Sequence, residues 1–261
     1  MKLYILTENT ASAKFLAEHG LSYYIEHDTN ILFDTGYSDV FLQNAQKLDI
    51  NIDSVNTVVL SHGHWDHGDG LQFIKNKKLI CHPDAFQKRY RKNGDENIGL
   101  DLSFDELKTK FDIQYTRLPY NVSHNIIFLG EIPRQNDFES QTTTFALEDN
   151  SDDFVMDDSG LVIKLKNEIV IISGCAHSGI CNIIEHAKQV TGIQKIRAVI
   201  GGFHLKYNNT QTQETIKYLK TQDIKEIYPS HCTELPALSA FYNEFKIKQL
   251  KSGMVLNFET N

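Results

Sequence analysis

Short runs of alternating hydrophobic and polar residues fill the first part of the chain, and this two-residue period predicts β-strands. The clearest runs are 2–6, 23–26 and 30–33, and the polar stretch 27–30 predicts a hairpin turn between the last two. A helical period over 40–48 places hydrophobic residues on one face and predicts the first helix. The pattern is that of strands and helices in alternation.

The second half has longer hydrophobic runs of the same kind. We predict strands over 161–165, 169–172, 198–200 and 226–228, and helices over 180–190 and 212–219. Two β-rich halves with helices between strands indicate two sheets packed together with helices outside. We expect one domain over 1–261, a usual length for such a fold.

Between the halves, the stretch of about 83–125 is the least regular part of the chain. It predicts a helical segment at 86–92 and a helix at 104–111, and we expect an excursion that covers or lines a site. The acidic stretch from Asp149 to Asp158 predicts a solvated loop that leads into the strand from 160.

The run 61–70 carries the candidate chemistry, because His62, His64, Asp66 and His67 form the pattern H-x-H-x-D-H. Imidazole nitrogens and a carboxylate oxygen are ligands of zinc and similar ions. The run comes directly after a predicted strand at 57–60. If the chain stays extended there, the first two histidines point to the same side and can bind one ion together. Asp66 and His67 come after a turn and are expected to hold a second ion.

A solvated cluster of surface histidines is the alternative to a metal site. The chain has 11 histidines in 261 residues, and composition alone rarely produces this spacing beside an aspartate. The run also ends a hydrophobic strand and contains several glycines, so we favour the metal site.

These residues resemble the signature of the metallo-β-lactamase fold superfamily, whose members bind one or two metals at the mouth of a β-sandwich. Segments 30–36, 170–179 and 228–233 fit the same template in chain order. The resemblance implies an α+β or α/β four-layer αββα sandwich. Motifs at 18–22, 129–134, 173–177 and 201–205 are similar to a narrower subgroup. That subgroup is the 7,8-dihydropterin-6-methyl-4-(β-D-ribofuranosyl)aminobenzene-5′-phosphate synthase-like proteins.

The metal ligands are assigned from residue type, position after strands and the superfamily pattern. The first ion is given His62, His64 and His177, and the second is given Asp66, His67 and His231. Asp34 either bridges the ions or orients a ligand. We expect one or two divalent ions, with zinc first and manganese or iron as alternatives.

Two further residues depart from the superfamily pattern or extend it. Cys175 stands where many superfamily hydrolases have a bridging aspartate, and it is either a thiolate ligand or a small buried residue. His204 is assigned, with Asp66, to catalysis: it is a general acid, a phosphate-binding group, or a ligand in exchange for His231. The alternative for His204 is a hydrogen-bonded loop histidine.

Three residues are candidates for contact with substrate. The resemblance favours His19 near the site, although a helix C-cap at His19-Gly20 explains it nearly as well. Arg134 offers a planar donor fork for a phosphate or carboxylate, and a structural pair with Glu131 is the alternative. Trp65 is either an aromatic wall for a planar substrate or a packing residue.

Composition limits the partners. With 26 basic and 34 acidic residues the net charge is −8, so we expect no nucleic-acid partner. No hydrophobic run approaches the roughly 20 residues of a membrane span, and the N-terminus lacks the pattern of a signal peptide. Four cysteines do not form a dense disulfide framework. We expect a cytoplasmic protein with a small anionic or phosphorylated substrate, and the oligomeric state stays open.

The sequence therefore predicts a metal-dependent hydrolase that directs a metal-bound hydroxide at a small phosphoester or related ester. One alternative, from the subgroup resemblance, is a metal-assisted pterin/ribofuranosyl-phosphate condensing synthase. Another is a non-catalytic ligand-binding protein that retains the metal and the fold. A nuclease is disfavoured by the negative charge.

Overall fold

The computed structural model describes residues 1–258, which divide into two compact units. Among the described residues, the first unit comprises 1–117, 143–157 and 251–258, and the second comprises 118–142 and 158–250. Each unit is built on a mixed sheet of its own. The expectation of a single domain stays a prediction.

Strands and helices alternate along residues 1–258. The strands are β1 (Lys2–Thr7), β2 (Ser22–Glu26), β3 (Asn30–Phe33), β4 (Thr57–Val59), β5 (Lys77–Cys81), β6 (Arg89–Arg91), β7 (Phe111–Tyr115), β8 (Tyr120–Asn121), β9 (Ile126–Phe128), β10 (Phe145–Leu147), β11 (Asp152–Asp153), β12 (Gly160–Lys164), β13 (Ile169–Ser173), β14 (Ile196–Gly202), β15 (Ile224–Ser230) and β16 (Val255–Asn257). The α-helices are α1 (Val40–Lys47), α2 (Trp65–Gly68), α3 (Phe104–Lys110), α4 (Ile180–Thr191), α5 (Thr210–Lys220) and α6 (Leu235–Phe245). Short 3-10 turns lie at Ile52–Ser54, Asp69–Phe73 and Pro83–Phe86.

The sheet of the first unit has seven strands in the order β16-β1-β2-β3-β4-β5-β7. Strands β3, β4, β5 and β7 run parallel, so their carboxyl ends meet at one edge. Leu32, Val58 and Leu79 from neighbouring strands are fully buried with Phe41 of α1 in one hydrophobic cluster. Burying each such side chain contributes about 1.5–3 kcal/mol, which fixes the strand ends that carry the candidate site.

A second, three-stranded sheet in this unit has the order β11-β10-β6. The helix predicted at 86–92 is therefore wrong, because Tyr90 pairs with Ala146 in an antiparallel ladder. The buried charge of Arg89 explains why this segment is a strand. It is fully buried between two carboxylates, with Nη2 2.9 Å from Asp157 and Nε 3.4 Å from Asp153. Burial of such a charge requires paired partners, and those partners lie more than 60 residues away in the chain.

The sheet of the second unit has six strands in the order β15-β14-β13-β12-β9-β8. Strands β13, β14 and β15 are parallel neighbours and are joined through α4 and α5. Parallel strands with helical crossovers are buried and rich in β-branched residues, as in the fully buried Ile169–Ser173. Their carboxyl ends again share one edge.

The N-terminus of helix α4 is stabilised by a buried glutamate from an earlier segment of the chain rather than by the side chain of its own N-cap residue. The Glu139 carboxylate accepts hydrogen bonds from the backbone N–H groups of Cys181 and Asn182 at 2.9 and 3.0 Å. An anion is favourable at this end of a helix, where N–H groups lack intrahelical partners. Gly179 precedes the helix with φ +100°, a conformation open to glycine, and a Cβ there would lie 2.3 Å from Glu139.

The structure confirms most of the strands and helices predicted from hydrophobic periodicity, with ends that agree or differ by one or two residues. Helix α6 and strand β10 are additions that the pattern did not predict. Within residues 1–258, no helix combines the length and hydrophobicity needed to cross a membrane.

Candidate metal centre

The first two histidines of the H-x-H-x-D-H run lie just past β4 and are buried. His64 has extended backbone angles (φ −92°, ψ 146°), so the chain stays extended as predicted. The His62 Nε2 and His64 Nδ1 atoms are 2.9 Å apart. Two nitrogens bound to one tetrahedral zinc ion lie about 3.3 Å apart, so these two atoms are arranged to share an ion after a shift of a few tenths of an ångström.

Burial controls the charge of His62. Its pKa lies well below the usual range because burial disfavours the imidazolium, and the neighbouring His67 and His64 lower it further. His62 is therefore neutral near pH 7. A neutral imidazole offers the lone pair that a metal requires.

Asp34 anchors this region from the end of β3. Its carboxylate accepts hydrogen bonds from the backbone N–H and the hydroxyl of Ser61, both at 2.7 Å, and its Oδ2 lies 2.7 Å from His67 Nδ1. Because Nδ1 contacts Asp34, the other ring nitrogen of His67, Nε2, is the one directed toward Asp66. Ser61, which the sequence interpretation passed over, also lies 2.9 Å from His62 Nδ1.

Asp66 and His67 lie in the first turn of α2, where the chain has turned as predicted. Asp66 Oδ2 is 4.0 Å from His67 Nε2 and 3.2 Å from His19 Nε2. The carboxylate therefore has a buried imidazole on one side and a half-exposed one on the other. His19 does lie beside the candidate ligands of its own unit.

A buried charge network holds the backbone of this run. The Gly63 N–H donates to Asp157 at 2.7 Å, and Asp157 is itself paired with Arg89. A Cβ at position 63 would lie 1.8 Å from the Ala85 carbonyl oxygen, so only glycine fits. The prediction of a solvated acidic loop is wrong for Asp157, which is fully buried because it serves this network.

The second unit carries a separate group of donors at the carboxyl ends of β13, β14 and β15. Cys175, His177 and His204 place one donor atom each within 4.8 Å of one another. Cys175, His231 and Cys232 do the same. The parallel order of the three strands brings these residues together although they span nearly 60 positions.

Strained backbone marks the ends of these strands. Ala176, His204 and His231 have φ values of 53°, 49° and 50°, and Asp34 in the first unit has 54°. Left-handed angles are costly for residues other than glycine and cluster at functional sites. Each of the four is at or just after a candidate ligand.

Cys232 is a functional candidate that the sequence interpretation missed. Burial would raise the pKa of its thiol, but hydrogen bonds with Cys175 and His204 and the nearby His231 hold it well below the usual range. The residue directly follows His231 in the sequence, and that adjacency was the available clue.

The donors of both units suit a divalent metal. Imidazole and carboxylate in the first unit, and imidazole and thiolate in the second, are the ligand types of zinc and iron sites. The structure thus brings together His62 with His64, and Asp66 with His67. It also groups Cys175 with His177, and Cys175 with His231. The assignment of His177 to the first ion and His231 to the second stays a prediction.

Comparison with known proteins identifies the family. A model described as the metallo-beta-lactamase superfamily matches residues 17–82, which contain the whole H-x-H-x-D-H run. An uncharacterized protein of Methanocaldococcus jannaschii is 37% identical over 245 residues, 90% of this chain and 91% of the relative. The 7,8-dihydropterin-6-methyl-4-(beta-D-ribofuranosyl)-aminobenzene-5'-phosphate synthase of the same organism is 34% identical. Its alignment covers 99% of this chain and 97% of the synthase.

The chain belongs to the metallo-β-lactamase superfamily. Within the superfamily, the similarity along the whole synthase confirms the narrower resemblance found in the sequence. A solved structure, Tm1679, described as a metal-dependent hydrolase of the β-lactamase superfamily, has a TM-score of 0.87 and 30% identity and covers 99% of both chains. The protein has the metallo-β-lactamase fold, with two mixed sheets flanked by helices, and it is a metal-dependent enzyme of this superfamily.

Arg134, the remaining predicted substrate residue of this metallo-β-lactamase-fold protein, is half-buried in the second unit. It is close enough to Asp158 for its charge to oppose the effect of burial, which raises the pKa of Asp158 to about 6. Asp158 accepts a hydrogen bond from the Ser178 N–H at 2.9 Å and is fully buried, so it too departs from the predicted solvated loop. The substrate role of Arg134 stays a prediction.

Proposed function

We propose that the protein is a metal-dependent condensing enzyme whose substrates include a planar aromatic ring and a phosphate monoester. The observation that carries the proposal is the 34% identity to the M. jannaschii synthase over 99% of this chain. The name of that synthase describes a product with a dihydropterin, an aminobenzene ring and a ribofuranosyl phosphate. This similarity favours the condensing alternative over the hydrolysis expected first from the sequence.

An aromatic cluster beside the candidate metal ligands supports a planar substrate: its central ring, Trp65, is half-buried against Ile98, Phe145 and Val155, and its neighbours are exposed. The Trp65 ring lies 4.9 Å from Tyr37 and 5.6 Å from His19 between ring centroids. Tyr37 is 49% exposed, and the His19 side chain is 56% exposed. Aromatic faces that are open to solvent stack well on flat rings. Trp65 immediately precedes Asp66, so a stacked ring would lie next to the candidate metal ligands.

The histidines and aspartates of the first unit would hold the metal. His62 and His64 supply two converging nitrogens, and Asp66 with His67 supplies a carboxylate and a third imidazole. A bound divalent ion would stabilise the negative charge of a departing diphosphate. Asp34 contributes by fixing the ring of His67 through Nδ1, as carboxylates do behind metal-bound histidines.

Other residues would transfer protons and bind the phosphate in this proposal. Asp66 and His19, 3.2 Å apart, would take and pass on the proton that an attacking amine loses. Arg134 would hold the phosphate with its donor fork, and His204 would bind phosphate or donate a proton to the leaving group. In the condensation, the aromatic amine nitrogen forms a C–N bond to the pterin methylene carbon while the C–O bond between that carbon and a diphosphate breaks. The diphosphate leaves with the bonding electron pair, and the amine proton passes to Asp66 and His19.

Hydrolysis of a small phosphoester is the second candidate, and the similarity to Tm1679 favours it. Condensation and hydrolysis would use the same metal ligands. They differ in the nucleophile, which is water in one and an aromatic amine in the other. A non-catalytic binding protein would bind substrate and metal without turnover.

The test is a product analysis by liquid chromatography and mass spectrometry. The protein, loaded with zinc, iron(II) or manganese, is incubated with 4-(β-D-ribofuranosyl)aminobenzene 5′-phosphate and a 7,8-dihydropterin whose 6-methyl group carries diphosphate. We expect the joined product with at least one metal and none after chelation. Release of diphosphate without the joined product would favour hydrolysis. Tight binding of either compound without any product would favour the binding protein.

A variant at Trp65 tests the aromatic cluster within the same assay. We expect Trp65→Ala to raise KM for the pterin with a smaller change in kcat, because stacking binds the ring in ground state and transition state alike. Phe73→Ala is the control, since Phe73 is also exposed (46%) and lies in the same unit outside the cluster. Equal effects of both substitutions would remove Trp65 from the substrate site.

A further inference from the structure

Glu18 holds the loop between β3 and α1 through its carboxylate. Its Oε1 atom accepts hydrogen bonds from the backbone N–H groups of Tyr37 and Ser38 at 2.9 and 3.2 Å. Its Oε2 atom accepts a third hydrogen bond from the Ser38 hydroxyl at 2.5 Å. Hydrogen bonds to a charged acceptor are roughly twice as strong as those between neutral groups. One half-buried carboxylate therefore fixes two consecutive loop residues that follow it by 19 and 20 positions.

Backbone hydrogen bonds join this loop to the segment after Glu18 and to the H-x-H-x-D-H run. The Gly36 N–H donates to the Leu21 carbonyl at 2.9 Å, and the Leu21 N–H donates to the Asp66 carbonyl at 3.1 Å. Gly36 has φ +68°, and a Cβ there would lie 2.5 Å from Glu18 Oε1, so glycine permits this close approach to the carboxylate. The loop is therefore held at a fixed position next to Asp66.

Tyr37 makes the contact between the loop and the aromatic cluster. Its ring meets the Trp65 ring edge-on, with 88° between the ring planes and 4.9 Å between the centroids. Trp65 is half-buried against a hydrophobic cluster that contains Phe145, so packing fixes its ring. Tyr37 is 49% exposed, so the position of its ring depends on the backbone that carries it, and Glu18 holds that backbone.

A capping role at helix α1 is the alternative for Glu18. The helix begins at Val40, and its N-cap residue, Asp39, makes no capping hydrogen bond with its own side chain. The N–H groups that lack intrahelical partners belong to the first turn of a helix, whereas Tyr37 and Ser38 precede the N-cap residue. The bonds to Glu18 therefore hold the loop that presents the Tyr37 ring rather than the first turn of the helix.

We propose that Glu18 is a positioning residue that sets the Tyr37 ring at the edge of a binding site for a flat bicyclic heterocycle, formed by Trp65 and Tyr37. The inference rests on the proposed function, because it assigns the dihydropterin rather than the aminobenzene ring to this cluster. Aromatic rings prefer offset-stacked and edge-to-face contacts. A bicyclic ring is wide enough to make one such contact with each residue of the pair.

Fluorescence tests the positioning role without turnover, because Trp65 is the single tryptophan of the chain. We expect Tyr37→Ala and Glu18→Ala both to raise the acrylamide quenching constant of the Trp65 emission, since the ring loses the same edge contact in each. Glu18→Gln keeps an oxygen that accepts the two backbone hydrogen bonds and is expected to retain the wild-type constant. An unchanged constant in Glu18→Ala beside a raised one in Tyr37→Ala would overturn the inference and leave Glu18 a capping residue.

Glu106→Ala is the matched control for Glu18→Ala. The Glu106 carboxylate accepts hydrogen bonds from the backbone N–H and the hydroxyl of Ser103 at 2.9 and 2.6 Å, in the capping box of α3. The control removes the same kind of bond from the same unit but outside the aromatic cluster. We expect it to leave the Trp65 emission and the KM values unchanged. An effect as large as that of Glu18→Ala would overturn the inference.

Kinetics show which substrate the cluster binds. In the product assay with both substrates, we expect Glu18→Ala to raise KM for the dihydropterin by about 2–10-fold, the range of a lost aromatic contact. KM for the ribofuranosylaminobenzene phosphate and kcat are expected to change less. Equal rises in both KM values, or product formation with an unchanged KM for the dihydropterin, would overturn the inference and leave the proposed function standing.

Calorimetric titration with 6-hydroxymethyl-7,8-dihydropterin gives an answer even without product formation, because this compound has no diphosphate to displace. We expect the zinc-loaded wild-type protein to bind it and Glu18→Ala to bind it about 2–10-fold more weakly. That result in a protein that forms no joined product would count against the proposed function alone. Absence of binding in the wild type would overturn the inference.

Discussion

His67 Nδ1 lies 2.7 Å from Asp34 Oδ2, and both side chains are fully buried. The contact joins the end of β3 to the first turn of α2, and it directs the opposite ring nitrogen of His67 toward Asp66. A carboxylate behind a histidine fixes the tautomer and orientation of the ring and increases its basicity as a ligand. The contact favours the orienting role predicted for Asp34 over the bridging role, and both stay predictions.

Asp34→Asn tests this role with little change in shape. Asparagine also tolerates the left-handed backbone at this position, so the fold is expected to survive. We expect metal affinity, measured by isothermal titration calorimetry, to fall about 10–100-fold because the charge behind His67 is lost. Asp49→Asn is the matched control, since Asp49 has a similar φ of 58° but is exposed. Unchanged affinity in Asp34→Asn would leave Asp34 a purely structural residue.

His64→Ala and Asp66→Ala test the ligands themselves. We expect each to lose metal, with affinity reduced by more than about 100-fold, and to lose activity in the same proportion. Elemental analysis after gel filtration gives the metal content, and far-ultraviolet circular dichroism checks the fold. His124→Ala, at an exposed histidine, provides the baseline. Full metal content and activity in either variant would remove that residue from the site.

His204→Ala separates a proton-transfer role from a ligand role. We expect turnover of a phosphodiester or of the condensation substrates to fall by roughly 10²–10⁴-fold while metal content changes much less. The measurements are kcat and metal content on the same preparation. Parallel loss of both would make His204 a ligand, in agreement with its position within 4.8 Å of Cys175 and His177.

Gly63→Ala tests how the H-x-H segment is held. The added methyl group would meet the Ala85 carbonyl oxygen at 1.8 Å, so the backbone must move. We expect the free energy of unfolding in urea to fall by about 1–3 kcal/mol. Gly94→Ala serves as the control, because its nearest neighbour is at 4.0 Å and a change within about 0.5 kcal/mol is expected. Equal stabilities of the two variants would contradict the close approach.

Glu139 predicts a pH dependence of stability. Its pKa is raised because burial disfavours the charged form, although hydrogen bonds from Cys181, Asn136 and Asn182 act in the opposite direction. The folded state therefore binds this proton more tightly than the unfolded state, in which the pKa is about 4.3. The resulting stability is complete below about pH 4 and is lost as pH rises through the folded pKa.

Glu139→Gln removes this titration, so the wild-type free energy of unfolding relative to the variant is expected to fall as pH rises above about 4. Urea unfolding from about pH 3.5 to 7 measures the difference. Glu96→Gln, at an exposed glutamate, should run parallel to the wild type. A constant difference between wild type and Glu139→Gln would show that the carboxylate is not perturbed.

The sequence by itself determined the local elements around the site. Buried strands such as β3, β4 and β13 are continuous hydrophobic runs. Each is followed by a short segment that contains a candidate ligand, namely Asp34, His62 and Cys175 in turn. The H-x-H spacing places two imidazoles on one side of an extended chain, which depends only on backbone geometry. The candidate metal-binding run and the superfamily could therefore be predicted without knowledge of any long-range contact.

Only the tertiary structure decided the contacts between distant segments. Arg89 lies in a strand rather than a helix because its buried charge is paired with Asp153 and Asp157. Those partners are distant in the sequence, so the local propensity of residues 86–92 does not predict the pairing. Cys175 and Cys232 meet because β13, β14 and β15 are neighbours in one sheet. The order of strands results from packing of the whole hydrophobic core, so a one-dimensional pattern does not contain it.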